Sequence, residues 1–170
     1  MIKIPTLLLF GVLVPVFGQG LDLSTLDRFS DRAASTTNVT LDRAQLQSAL
    51  KMMSETDKDA GKIRNMLAGL NSVAVRTFEF SKPGAYSLAD LEPVRAQLKK
   101  PGWSKIVEVK DKNDTIEIYM RAGDPKAFAV IAAEPKELTV VSIDGTVDMA
   151  DLALIPRVTS SIQFHGPEPH

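Results

Sequence analysis

Acid–base and metal chemistry most often call on histidine, and this 170-residue sequence has two, His165 and His170. Both lie in a proline-rich C-terminal stretch, a poor place to hold a general base in fixed geometry. A Ser-His-Asp arrangement would have to be built on His165 there. Cysteine is absent, which removes disulfides, thiolate metal ligands and cysteine nucleophiles together. No G-x-S-x-G, phosphate-cradling glycine loop or H-E-x-x-H occurs. The densest acidic group is Asp144, Asp148 and Asp151. Clustered carboxylates could bind calcium or serve a carboxylate-dependent hydrolase, with Asp144 and Asp148 as its nominees. Their spacing lacks the alternate-position ligands of an EF-hand loop. A plainer reading covers all three: Asp144 ends a strand, Asp148 caps a helix and Asp151 sits in its first turn.

Two further groups need weighing. Ile106, Tyr119 and Arg121 fall on one parity of neighbouring strands and could contact a partner, or equally pack across strands. Met52, Met53 and Met66 are read as core filling rather than a ligand stripe, because methionine at helical spacing usually fills gaps. Trp103 is assigned to the core. No catalytic, cofactor-binding or metal residue is assigned, and no cofactor is expected.

These residues are positioned by a run of strands from Trp103 to Asp144. Trp103–Lys110, Thr115–Arg121, Ala127–Glu134 and Leu138–Asp144 are separated by short turn signals, which predicts an antiparallel meander. Ile116, Ile118 and Met120 alternate with Glu117, Tyr119 and Arg121, the mark of a half-buried strand. A four-residue loop from Lys112 to Thr115 would set Val109 against Ile118 and Lys110 against Glu117. The register slipped by two would put Glu108 opposite Glu117, an unfavourable like-charge pair. The strands from 127 and 138 are apolar on both parities and belong in the middle of the sheet. Another strand, Asn71–Phe80, is expected to join these four.

The helical segments come earlier. Leu23, Leu26, Phe29 and Ala33 recur at helical spacing, with Ser24 and Asp27 placed as a capping pair. A helix over Asp42–Ser54 carries Leu46, Ala49, Leu50 and Met53, and another ending near Gly69 has Ile63, Met66, Leu67 and Leu70 at i, i+3, i+4 and i+7. Asn38 to Leu41 reads as a short strand or an extended link. Leu91, Val94 and Leu98 mark a helix for which Asp90 is the expected N-cap, since Pro93 is tolerable only in a first turn. A last short helix is predicted over Val147–Ile155, closed by Pro156.

Met1-Ile2-Lys3, an apolar run from Thr6 to Phe17 and the small Gly18 are the three parts of a signal peptide over residues 1–18. That run is short for a membrane span and holds Pro15. The expectation is therefore an exported chain, periplasmic or secreted, with no stable membrane span after cleavage. Lacking cysteine, it has no lipid anchor. Twenty basic residues are interspersed with 21 acidic ones, so nothing favours a nucleic-acid partner. The remainder, residues 19–156, is long enough for one domain with a proper core, followed by a loose tail over 157–170.

Three stretches carry a resemblance to a family of exported bacterial proteins, domain of unknown function 4252. They are Pro101-Gly102-Trp103, the strand pair Val107–Lys112 with Glu117–Tyr119, and Ala132–Val141 running into Ile143-Asp144-Gly145. The resemblance implies an envelope location and a shared fold, and it brings no activity. Many members are lipoproteins, from which this chain departs. The fold expected is α+β: a five-stranded, mostly antiparallel sheet with helices packed mainly on one face, one of which crosses to the other. The function expected is a non-catalytic envelope module that binds a protein or surface component. The alternatives are the carboxylate-dependent hydrolase and a component of envelope signalling.

Overall fold

In the computed structural model, described for residues 20–52, 60–123 and 126–148, the chain forms one α+β unit around an antiparallel sheet. The strands are β1 (Ser35–Asp42), β2 (Leu70–Glu79), β3 (Trp103–Asp111), β4 (Asp114–Arg121), β5 (Ala127–Ala133) and β6 (Glu137–Gly145). Helices α1 (Arg43–Met52) and α2 (Ala60–Ala68) lie between β1 and β2, and α3 (Glu92–Leu98) precedes β3. The order across the sheet is β1-β2-β6-β5-β4-β3. The meander is as expected, β2 joins it beside β6, and β5 and β6 hold the centre.

Six strands replace the expected five because Ser35–Asp42 is a full strand rather than a link. It pairs with β2 through eight consecutive residues, Ser35 with Glu79 through to Asp42 with Ser72. Ser35 to Asn38 are all exposed, so only Val39 and Leu41 give it an apolar alternation to read. Asp42 then opens α1 through a reciprocal box: Gln45 N–H donates to Asp42 Oδ1 at 2.8 Å, and Asp42 N–H to Gln45 Oε1 at 2.9 Å.

Helical segments are shared between both faces rather than gathered mainly on one. On one face Leu26, Phe29, Leu91, Val94 and Leu98 pack over Phe78, Tyr119, Ala129, Ile131, Leu138 and Val140. On the other, Leu46 of α1 and Met66 of α2 pack over Val75, Phe128, Val141 and Ile143. Strands apolar on both parities have two faces to bury, so both need cover. The small Ala129 and Ala133, fully buried, let the first layer sit close. Leu26 and Phe29 belong to a 3-10 segment, Ser24–Phe29, capped by Leu23, and its three-residue turn aligns the three on one side. A second such turn, Leu88–Leu91, leads into α3. Ser87, not Asp90, stands at its start, and Ser87 N–H donates to Asp90 Oδ2 at 3.0 Å.

The β3–β4 register is also corrected. The turn is two residues, Lys112-Asn113, with Lys112 at φ 51°. Glu108 therefore faces Glu117 and Val109 faces Ile116. A bulge at Ile106, between the pairs Lys105–Tyr119 and Val107–Ile118, shifts parity along β3. Trp103 and Lys105 consequently share the α3 face with Glu108 and Lys110, while Val107 and Val109 lie on the other. The predicted helix over 147–155 and residues 1–18 and 157–170 lie wholly or mostly outside the described residues, which end at Asp148.

Candidate functional site

The most concentrated chemistry lies between α3 and the β3–β4 hairpin. Leu91, Val94 and Leu98 define the buried stripe of this segment, and Arg95 lies within it, one turn from Leu91. Beneath it, Glu117 and Tyr119 occupy alternate positions of β4 and point toward α3. Glu117 is 2 % exposed and Tyr119 is 6 % exposed. The guanidinium of Arg95 grips the carboxylate with two bonds, Nε to Oε2 at 3.1 Å and Nη2 to Oε1 at 3.0 Å. Tyr119 donates its hydroxyl to Oε2 at 3.0 Å, and Lys105 Nζ reaches Oε1 at 3.4 Å. A buried carboxylate is stable only when its oxygens are occupied in this way.

An open cleft of about 500 Å³ lies over this network, lined by Leu88, Glu92, Lys99, Lys105 and Lys110. Its rim charges are engaged. Lys99 meets Glu92 at 3.0 Å, while Lys105 and Lys110 meet Glu108 at 3.0 and 3.3 Å. Burial pushes Glu117 toward the protonated form, but the Arg95, Tyr119 and Lys105 contacts prevail and hold its pKa below the usual glutamate value. Tyr119 is raised by burial and by the adjoining carboxylate. At neutral pH the pair is thus a fixed ion beside a neutral phenol, and neither is poised to exchange a proton. The arrangement clamps α3 to the sheet.

The residues singled out in the sequence fall elsewhere or take other roles. Asp144 projects toward Arg121 across the small Ala127, with Oδ1 and Nη2 3.5 Å apart. The Arg121 guanidinium also lies over the Trp103 ring, 5.6 Å from its centroid. Asp148 is exposed beside the buried Val147, and Asp151 lies outside the described residues, as do His165 and His170. Among the described residues no three His, Cys, Asp or Glu side chains are grouped to hold a metal ion. The trio of Ile106, Tyr119 and Arg121 is not a free surface: Ile106 is the bulge residue, Tyr119 is buried and Arg121 is half-buried. Met66 is core and Met52 is 87 % exposed, so they form no stripe; Met53 is outside the described residues.

The Arg95–Glu117 pair was missed in the sequence, although it left a signal. Arg95 occupies an i+4 position of the apolar stripe that starts at Leu91, where a cation requires a buried partner.

Among the described residues no helix is long and apolar enough to cross a membrane. No curated protein matches the sequence. Among solved structures, a Pseudomonas aeruginosa protein of unknown function aligns over 80 % of this chain and 85 % of its own, at 13 % identity and a TM-score of 0.34. The profile of the family described as a domain of unknown function (DUF4252) matches residues 29–155, and the chain belongs to that family.

Proposed function

We propose that the protein is an exported module of the bacterial envelope that binds another protein and catalyses no reaction. The observation that carries this reading is an apolar surface on the β3–β4 hairpin, on the face turned away from α3. Val109 and Ile116 are direct cross-strand partners and remain 48 % and 41 % exposed. Val107, Ile118 and Met120 are half-buried beside them. Neighbouring exposed apolar side chains of this size favour an interaction site. The surface is an open sheet rather than a concave pocket, which suits the apolar side chains of a protein better than a small ligand. The leader-like residues 1–18 support export. The saturation of Glu117 and the engagement of Asp144 by Arg121 support a structural rather than a catalytic use of the carboxylates. No observation favours the hydrolase reading.

A photoreactive side chain at position 109 tests this in the cell that makes the protein. The expected result is one discrete protein adduct, lost on Ile116→Glu and not formed from exposed position 82. No adduct, or the same adduct from both positions, would overturn the reading. The identity of the adduct also decides whether the module serves envelope signalling.

A further inference from the structure

The two edges of the sheet are built differently. Edge strands expose unpaired backbone groups, and proteins usually guard them with charges, prolines or bulges. Strand β3 is guarded: it carries Lys105, Glu108 and Lys110, and the Ile106 bulge breaks its regularity. Strand β1 is not. From Ser35 to Leu41 it reads Ser-Thr-Thr-Asn-Val-Thr-Leu, without a charge, a proline or a register shift. Ser35 to Asn38 and Thr40 are exposed, while Val39 and Leu41 are half-buried on the face covered by α1 and α2.

We infer that β1 is a strand-addition edge and that its occupant is a second copy of this chain, joined β1 to β1 in antiparallel fashion. Two features favour a copy over a foreign strand. The one charge of β1, Asp42, lies at its far end, and antiparallel self-pairing about Asn38 sets it opposite Ala34 rather than its own copy, so the strand meets itself without like-charge repulsion and with Thr36 opposite Thr40 and Thr37 opposite Val39. Foreign strands are chosen through side-chain pockets along the edge. The short Ser, Thr and Asn side chains of β1 offer none. A two-fold axis at the edge also keeps equivalent faces aligned, so the Val39 and Leu41 side chains of both copies continue one apolar surface. The result is one continuous sheet through two molecules, formed in a concentration-dependent way. This inference is independent of the β3–β4 surface, which lies at the opposite end of the sheet.

Sedimentation velocity on the purified protein from low to high micromolar concentration tests it. A shift from monomer to a species of twice the mass is expected, abolished by Asn38→Lys and by Thr36→Lys. Both side chains are exposed, so circular dichroism should report an unchanged fold. Because the chain is cysteine-free, Asn38→Cys and Lys110→Cys compare the two edges directly. Under mild oxidation Asn38→Cys should give the disulfide-linked dimer several-fold faster than Lys110→Cys. A protein monomeric throughout, a dimer indifferent to both lysine substitutions, or equal cross-linking from the two edges would each overturn the inference. The first outcome would leave the edge to a foreign strand.

Discussion

Glu108 and Glu117 stand directly opposite each other on β3 and β4, on the face that packs under α3. Such a pair repels unless a cation lies between its members. Here Lys105 does so, reaching Glu108 at 3.0 Å and Glu117 at 3.4 Å. The Ile106 bulge keeps Lys105 on that face, and Arg95 takes the rest of the Glu117 charge. Lys105→Met should therefore lower the melting temperature by about 2–4 °C. Adding Glu108→Gln should recover most of that loss, because it removes the repulsion that Lys105 screens. A second substitution that simply adds its own loss would show that the two glutamates do not couple.

The Arg95–Glu117 pair should behave as a buried ion pair in which either member alone is a liability. Arg95→Met leaves the carboxylate short of two bonds and should cost about 3–5 kcal/mol in denaturant unfolding. The double variant Arg95→Met, Glu117→Leu removes both charges and should recover a large share. The same pair sets an acid limit. Because the folded-state pKa of Glu117 is lowered, its contribution is fully present above the ordinary glutamate value of 4.5 and is lost as pH falls through the folded value. Stability of Glu117→Gln should consequently depend less steeply on pH below 4.5 than that of the parent protein.

Sequence pattern was sufficient for the elements whose burial is one- or two-sided in a regular way. The strands from Trp103 to Gly145, the strand from Leu70 and the helix after Asp42 carry apolar positions at the right period, and they form where expected. Strand β1 was legible only in part, as a short strand or link over Asn38–Leu41, because its first four residues are exposed and carry no apolar period. The hairpin register was not legible because Lys105, which relieves the repulsion between the two glutamates, is brought beside both only by a bulge that alternation cannot reveal. The clamp escaped for a related reason. Glu117 and Tyr119 sit on the polar parity of β4, which reads as solvent-facing until α3 is known to lie over it. Their burial is a property of tertiary packing, and the only local trace was Arg95 in an apolar stripe.

Tyrosine ionisation offers a test at the alkaline end. Tyr86 stacks on Phe80 with ring centroids 4.9 Å apart and donates its hydroxyl to the Glu134 carbonyl at 2.6 Å, tying the β5–β6 turn to the segment before α3. Burial, with the nearby Glu134 charge, pushes its pKa up to about 12, and Tyr119 is raised too. These are the two tyrosines of the chain. The native protein should therefore show little tyrosinate absorbance at pH 10, where an unfolded chain is half ionised. Raised folded-state values mean that the stabilisation is complete below the unfolded pKa and fades as pH climbs toward about 12. Tyr86→Phe should lower stability by about 1 kcal/mol and leave a single late-titrating group. Ordinary titration near pH 10 in the folded protein would refute the shielding of the two hydroxyls.

A close backbone approach joins the end of β6 to the turn between α2 and β2. Gly145 adopts φ 131° and pairs with Leu70 across a register shift. A Cβ on Gly145 would meet the Gly69 carbonyl oxygen at 2.5 Å and Leu70 Cα at 2.7 Å, and one on Gly69 would meet the Thr146 carbonyl oxygen at 2.4 Å. All of these neighbours are backbone, and Thr146 N–H donates to the Gly69 carbonyl at 2.9 Å, so neither strand can yield without losing that bond. Gly145 faces both a left-handed backbone and a steric clash, whereas Gly69 faces the clash alone. Gly145→Ala should cost at least about 3 kcal/mol, measured by denaturant unfolding, and Gly69→Ala should also destabilise strongly. Gly61→Ala, in open space in the first turn of α2, should instead be neutral or stabilising by up to about 0.5 kcal/mol. Equal effects at the three glycines would mean that the close approach does not constrain the fold.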